Sequence, residues 1–397
     1  MELHSEAQYT PRPPLQQLDI IVLIFECLTS NDILRCREVC KLWAHASTVQ
    51  SIWKNVYYRR YKSHYPVHAK LDWHQKCKTA HAIKHSKNVL RIQKYDIDAV
   101  GRCGHSACHV TGGDLDYDLV VVFGGREPTN FLFLSSVAFV KIYRGENAGS
   151  AEWEEIDDNE SSVWPSARFG HNSFQYGDNL WMYGGGAIAE GSAVAPTFHI
   201  LNPKTKEWSV KELDGPPMAG REGASAIRVS EHEMLFFAGR QAECKPVKKT
   251  HYYNDLHLFN MKTGTWKRIE ASGDKPCPRF FHACEKKDNK MVVFGGWFIV
   301  RQEVSQFYDD LYILDLNTWV WTKIDVIQGP QARCQSGTFL HGDYMGLFGG
   351  CSHATDLATY GEEYVVEFKD MWFLDLDTFV WFEAKEADFG PLGRGIM

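Results

Sequence analysis

The chain has no long hydrophobic run. Its longest apolar stretches, 18–28 and 131–140, fall well short of the roughly 20 residues that cross a bilayer, and Asp19 and Glu26 interrupt the first. No membrane partner is expected. The start is also poor in targeting features: Met1, Glu2, His4 and Glu6, then Pro11, Pro13 and Pro14, lack the basic opening and apolar core of a secretory signal. Export is not expected. The eleven cysteines include no Cys-x-x-Cys pair, so zinc ribbons and RING-type sites lack the close ligand pairs that close a tetrahedron. An odd cysteine count without regular spacing fits reduced thiols, and the expected compartment is cytoplasm or nucleus. A nucleophile-elbow Gly-x-Ser-x-Gly and a phosphate-binding Gly-x-x-x-x-Gly-Lys-Ser/Thr are absent too. No catalytic residue, cofactor or metal is expected.

What is present reads as a globular protein: 44% apolar and 23% charged residues over 397 positions, more than one ordinary domain holds. Charge divides the chain. Residues 1–100 hold 15 Lys and Arg against 9 Asp and Glu, a net +6, which leaves −13 of the total −7 for residues 101–397. A body of that sign repels phosphate backbones, so nucleic acid is not an expected partner.

A long-period repeat begins at residue 102. Five times, in the same order, come an Arg, an apolar run ending in Gly-Gly, an alternating run ending in Asn or Asp, and a Trp. The arginines are Arg102, Arg168, Arg221, Arg279 and Arg333; the tryptophans are Trp153, Trp208, Trp266, Trp321 and Trp381. Only the third copy breaks the glycine pair, with Ala238-Gly239. The Trp follows its Asn or Asp by six residues in every copy (Asn147, Asn202, Asn260, Asp315, Asp375), so a hairpin of fixed length is expected there. Length variation gathers between the glycine pair and that Asn or Asp, where loops free to carry function belong. The runs are short, β-branched or aromatic, and bounded by turn residues, as strands are. Four antiparallel strands per repeat cannot bury both faces of a sheet alone, whereas radially packed blades can, with the Trp filling the space between them.

Motifs such as Arg168-Phe-Gly-His171, Arg102-Cys-Gly-His105, Phe-Gly-Gly and Asp-Leu-Tyr-Ile-Leu-Asp315 resemble the kelch repeat. The resemblance implies a mainly β kelch propeller over 89–397. Val89–Gln93 reads as a strand arriving before the first repeat, and 390–394 as the beginning of a sixth, so both five and six blades fit.

Ahead of the repeats, Leu18, Ile21, Phe25 and Leu28 form one helical stripe, Ser30-Asn31-Asp32 can cap a new helix, and Cys36, Val39, Cys40 and Trp43 form a second stripe. Leu23-Ile24-Phe25, Leu28, Ile33-Leu34, Val39-Cys-Lys41 and Trp43 resemble an F-box over 14–55, between a tail at 1–13 and an expected helical linker at 56–88. Where the family usually opens with Leu-Pro, this chain has Gln16-Gln17. The resemblance implies a Skp adaptor and a cullin as partners, with Leu18, Leu23, Ile24, Phe25, Leu28, Ile33, Leu34, Val39, Cys40 and Trp43 as adaptor-binding residues. It implies the substrate-recognition subunit of an SCF-type ubiquitin ligase, itself non-catalytic.

A target protein is expected on the propeller face that gathers the variable loops. There the repeated arginines Arg102, Arg168, Arg221, Arg279 and Arg333 have two readings: a ring that grips an acidic or phosphorylated peptide, or a scaffold element bonded within each blade. Phe131, Phe133, Tyr252, Tyr253, Trp297, Phe298, Phe307, Tyr308 and Tyr360 are the aromatic hot-spot candidates. Two other function classes stand beside this one: a kelch scaffold without a ligase role, and a metal-dependent kelch enzyme. For the last, Cys103, His105, Cys108 and His109 offer ligand types, but in a strand alternate residues point to opposite faces.

Overall fold

The computed structural model describes residues 25, 28, 30–39, 41–61, 71–85, 101–110, 116–127, 132–145, 149–157, 163–186, 196–213, 215–241, 250–301, 304–356 and 362–384. The chain divides into two compact units, Met1–Lys84 and His85–Met397.

The first unit is helical: α1 is Ser30–Cys36, α2 is Lys41–Ala46, α3 is Gln50–Tyr61 and α4 is Trp73–His85. Helix α3 buries Ile52, Trp53, Val56 and Tyr57 along one stripe, and α4 answers with Trp73, Cys77 and Ala80 at helical spacing. The rings of Trp53 and His74 lie 4.3 Å apart, and those of Tyr57 and Trp73 5.6 Å apart. Asp72 caps α4 by accepting the Gln75 N–H at 3.1 Å, a bond that holds its carboxyl below the usual range. Gln50 ties the two helices together by accepting the Trp73 N–H at 2.7 Å. The expected boundary at residue 55 therefore falls inside α3. The stretch assigned to a linker is largely the rest of α3 and α4, packed into the same unit. No helix among the described residues is long and apolar enough to cross a membrane.

The second unit is a five-bladed β-propeller. Each blade is an antiparallel sheet in chain order. Blade 1 consists of Ser106–Val110, Tyr117–Phe123, Val137–Tyr143 and Ala151–Ile156, and blade 2 of Asn172–Tyr176, Asn179–Tyr183, Phe198–Asn202 and Glu207–Lys211. Blade 3 consists of Ser225–Ser230, Glu233–Phe237, Leu256–Asn260 and Thr265–Ile269. Blade 4 consists of Ala283–Lys287, Lys290–Phe294, Leu311–Asp315 and Val320–Ile324, with Ser272–Gly273 added in parallel at its outer edge. Blade 5 consists of Gly337–His341, Tyr344–Phe348, Met371–Asp375 and Val380–Glu383. The two segments that suggested a sixth blade, 89–93 and 390–394, lie outside the described residues.

The fixed six-residue spacing has a clear cause. Asn202, Asn260, Asp315 and Asp375 each accept, through Oδ1, the backbone N–H groups two and three residues on, at 2.9–3.2 Å. Such a side-chain turn fixes hairpin length. Asn147 of the first repeat lies outside the described residues. After each turn the Trp reaches back to the preceding blade: Trp208 packs on Phe123 at 5.4 Å, Trp266 on Tyr183 at 5.2 Å, Trp321 on Phe237 at 5.0 Å and Trp381 on Phe294 at 5.0 Å. These contacts sit in the apolar clusters between neighbouring blades.

Backbone bonds complete the junctions. The second glycine of blades 1 to 4 (Gly125, Gly185, Gly239, Gly296) donates its N–H to the carbonyl of the next blade's Arg at 2.8–2.9 Å. Closer to the axis a second chain of bonds steps around the ring: Gly170 N–H to Gly104 O, Gly223 to Gly170, Phe281 to Gly223 and Gln335 to Phe281, at 2.7–2.9 Å. All five residues have positive φ, between 53° and 64°. At Gly223 the geometry demands glycine, because a Cβ would lie 2.7 Å from the Phe281 nitrogen. Inside this staircase is a cavity of about 290 Å³ lined from all five blades, including His105, His171, Ala224, His282 and Gln335.

Candidate functional site

The arginines of the repeat point inward. Arg102, Arg168, Arg221, Arg279 and Arg333 are all buried, at most 4% exposed. In blades 3, 4 and 5, Nη1 donates to the carbonyl of the residue ending the apolar run (Ala238, Gly295, Gly349) at 2.9–3.1 Å. It also donates to an Asp just ahead of the third strand (Asp255, Asp310, Asp370) at 2.6 Å. Burial works against charge on Asp255, but the bonds from His257 and Arg221 outweigh it and hold the carboxyl well below its usual range. An aromatic two residues before each Asp covers the guanidinium: Tyr253 at 3.6 Å from Arg221, Tyr308 at 4.3 Å from Arg279 and Phe368 at 3.9 Å from Arg333. Blade 1 has Ser136 at the Asp position and recruits Glu155 from its outer strand, 2.6 Å from Arg102.

Blade 2 has Thr197 there. Arg168 bonds Ser166 O, Ser166 Oγ and Gly184 O at 3.0–3.1 Å, with no carboxylate beside it among the described residues, and burial pulls its pKa down to about 10. Of the two readings of the arginines, this geometry is that of the scaffold. Their guanidinium groups are spent inside the blades, and Tyr253 and Tyr308 serve them as lids.

One residue further along, the chain pairs with the start of the variable loops; Cys103, Glu222, Phe280 and Cys334 are buried there and Phe169 is partly exposed. The residue after each Arg pairs through the backbone with the residue after the glycine pair: Cys103 with Arg126, Phe169 with Gly186, Glu222 with Arg240, Phe280 with Trp297 and Cys334 with Cys351. Three of the variable loops that begin here are β-hairpins. They are Arg240–Gln241 with His251–Tyr252, Trp297–Arg301 with Val304–Phe307, and Cys351–Asp356 with Glu362–Glu367. Each leaves its blade between the second and third strands, so strand direction puts all three on one face.

An aromatic belt runs along this face, with partly exposed Phe133, Phe169, Phe281, Trp297 and Phe307 around a fully buried Phe280. Phe133 meets Phe169 at 5.0 Å, Phe169 meets Phe281 at 6.0 Å, and Phe281 meets Phe280 at 5.1 Å. Trp297 then stacks on Phe280 at 4.8 Å and on Phe307 at 5.5 Å. Tyr252 lies 4.8 Å from Phe298, and both are partly exposed, as is Trp297. Arg240 covers Phe280 at 4.5 Å and pairs with Glu222, whose burial raises its pKa against the pull of Arg240 and Arg126. The belt thus joins Phe133, Tyr252, Trp297, Phe298 and Phe307 from the sequence reading to Phe169, Phe280, Phe281, Arg126 and Arg240, which that reading missed. Registering the residue after each Arg against the residue after each glycine pair would have found most of them. Phe131 and Tyr360 lie outside the described residues.

In the helical unit, Phe25 and Ile33 are fully buried and Phe25 meets Trp43 edge-on at 5.6 Å. Both are core residues, not surface for a partner as expected. Val39 is 61% exposed, with Leu28, Leu34 and Trp43 partly so. Leu18, Leu23, Ile24 and Cys40 lie outside the described residues. Among the described residues no group of three or more His, Cys, Asp or Glu is placed to hold a metal ion. His105 lines the axial cavity, whereas His109 bonds Asp118 at 3.1 Å on the same blade.

Comparison with known proteins agrees with this anatomy. Residues 18–59 match the F-box-like domain. The chain is 28% identical over 214 residues to the Rab9 effector protein with kelch motifs of Bos taurus, covering 53% of this chain and 51% of that protein. It is 24% identical over 281 residues to kelch domain-containing protein 3 of Homo sapiens, covering 69% of this chain and 67% of that protein. It is also 24% identical over 249 residues to human host cell factor 1, covering 58% of this chain and 11% of that protein. The chain thus spans about half the length of the Rab9 effector and a far smaller share of host cell factor 1. Residues 72–296 and 170–396 match the KLHDC2/KLHL20/DRC7 kelch-repeats domain, and the chain belongs to that kelch-repeat family, with an F-box-like segment ahead of its propeller.

Proposed function

We propose that this protein is the substrate receptor of an SCF-type ubiquitin ligase, acting in the cytoplasm or nucleus. The observation that carries the reading is the union, in one chain, of an F-box-like segment with a propeller that gathers its hairpins and an aromatic belt on one face. F-box segments bind Skp-type adaptors and kelch propellers bind proteins. The helical unit supplies the adaptor surface, centred on Val39 and the exposed parts of Leu28, Leu34 and Trp43. The propeller face supplies the target surface, with Tyr252, Trp297 and Phe298 as apolar anchors and Arg126 and Arg240 as charged contacts. The chain contributes no bond-making step. It holds lysines of a target near a conjugating enzyme brought by other subunits, and the gain is one of proximity.

The test is affinity purification of the full chain from cells with the proteasome blocked. Recovery of a Skp adaptor and a cullin, together with a protein lost on Trp297→Ala, supports the reading. Recovery of propeller partners with neither adaptor nor cullin would make the chain a kelch scaffold instead.

A further inference from the structure

At three of the five backbone bridges that open the variable loops, those of blades 3, 4 and 5, the fold sets two side chains opposite one another and this sequence fills the places with matched pairs. Glu222 and Arg240 form an ion pair, and Phe280 and Trp297 stack. In blade 5 the pair is Cys334 and Cys351, with their sulfurs 3.7 Å apart. The two residues exchange both backbone bonds, each at 2.9 Å. Such a hydrogen-bonded antiparallel pair places its Cα atoms about 5.5 Å apart, within the span that a disulfide bridges.

Two further observations make the pair a chemical site. Cys351 S–H faces the Gln335 amide oxygen at 3.6 Å, and Gln335 lines the axial cavity of about 290 Å³, so a small reagent in the channel comes within one side chain of the thiol. The Cys334 S–H is then the one that donates to the Cys351 sulfur. That bond draws the Cys351 pKa below its usual value, and the same bond together with burial raises that of Cys334.

We propose that Cys334 and Cys351 are a reversible dithiol–disulfide pair, oxidised by a hydroperoxide, that staples the blade 5 hairpin to the segment opening its innermost strand. The Cys351 thiolate attacks a peroxide oxygen, the O–O bond breaks, and Cys351 sulfenic acid forms while the leaving oxygen takes a proton and departs as water or an alcohol. The Cys334 sulfur then attacks the sulfenic sulfur, an S–S bond forms, and hydroxide leaves and takes the Cys334 proton as water. Two thiols are oxidised by two electrons and one peroxide is reduced; a dithiol reductant reverses the bond. The inference stands on blade 5 alone and does not depend on the ligase reading.

The test uses the full chain, purified reduced and exposed to hydrogen peroxide, with free thiols blocked before digestion and peptide mapping. The expected result is a cross-linked peptide containing Cys334 and Cys351, lighter by two hydrogens, formed before the exposed Cys277 is consumed and reversed by dithiothreitol. In Cys334→Ser, dimedone added with peroxide should tag Cys351. Persistence of both free thiols while Cys277 oxidises, or a cross-link from either cysteine to another partner, would overturn the proposal. The measurement on the unaltered chain stands even if the variant fails to fold.

Discussion

Asp310 supplies the negative charge for Arg279, a guanidinium with no exposure at all. Removing one member of a buried pair strands the other, so Asp310→Ala is expected to cost about 3–5 kcal/mol, read as a lower midpoint of unfolding. Blade 2 offers the opposite experiment. Thr197 stands where Asp255, Asp310 and Asp370 stand in the later blades. Thr197→Asp should give Arg168 its missing partner and raise stability by about 1.5 kcal/mol, seen as a higher midpoint and lost when Arg168→Met is added. A buried histidine adds acid sensitivity to the fold. His282 donates or accepts at Ser225 Oγ at 2.8 Å, and burial, with Arg279 nearby, depresses its pKa to about 3. A histidine held neutral in the fold gains its proton only on unfolding. Its stability contribution is therefore full above the unfolded value near 6.5 and is lost as pH falls from there toward 3. Between pH 7 and 5 the loss is up to about 2 kcal/mol for such a residue, and His282→Gln should flatten the fall in midpoint over that window. At this scale the arginines were legible as a recurring type, but their partners were not. Arg279 and Asp310 are joined across a loop of variable length, and nothing in a linear pattern marks a contact over that span.

Elements were read more fully than residues. The strands, the fixed hairpin and the Trp between blades follow from local spacing, because an Asx turn and a period of two are local physics. The hairpins within the variable loops were not foreseen, since their short strands pair only with one another and with the segment before the innermost strand. In the helical unit, periodicity found an apolar face but could not divide core from surface. Phe25 and Ile33 lie inside; Val39, in the turn after α1, lies outside. Ile33→Ala should therefore destabilise the unit by about 2–5 kcal/mol. Val39→Asp should leave its melting unchanged while weakening capture of a Skp adaptor in a pull-down; equal adaptor binding by Val39→Asp and the parent chain would move the contact elsewhere.

At the scale of the whole molecule the repeat order made the ring readable, and the number of blades was the part left open, because blade count depends on how the ends meet and not on any one repeat. Each blade packs chiefly on its neighbours, so stability is shared along the ring in nearest-neighbour steps. The staircase at the axis couples those steps. Its four peptide N–H groups, on Gly170, Gly223, Phe281 and Gln335, all point the same way around the circle, each into the carbonyl of the blade before. Each exchanges only when a bond between two blades breaks, so in deuterated water these four amide hydrogens should be among the last to exchange, at rates that follow global unfolding and not the fraying of any single blade.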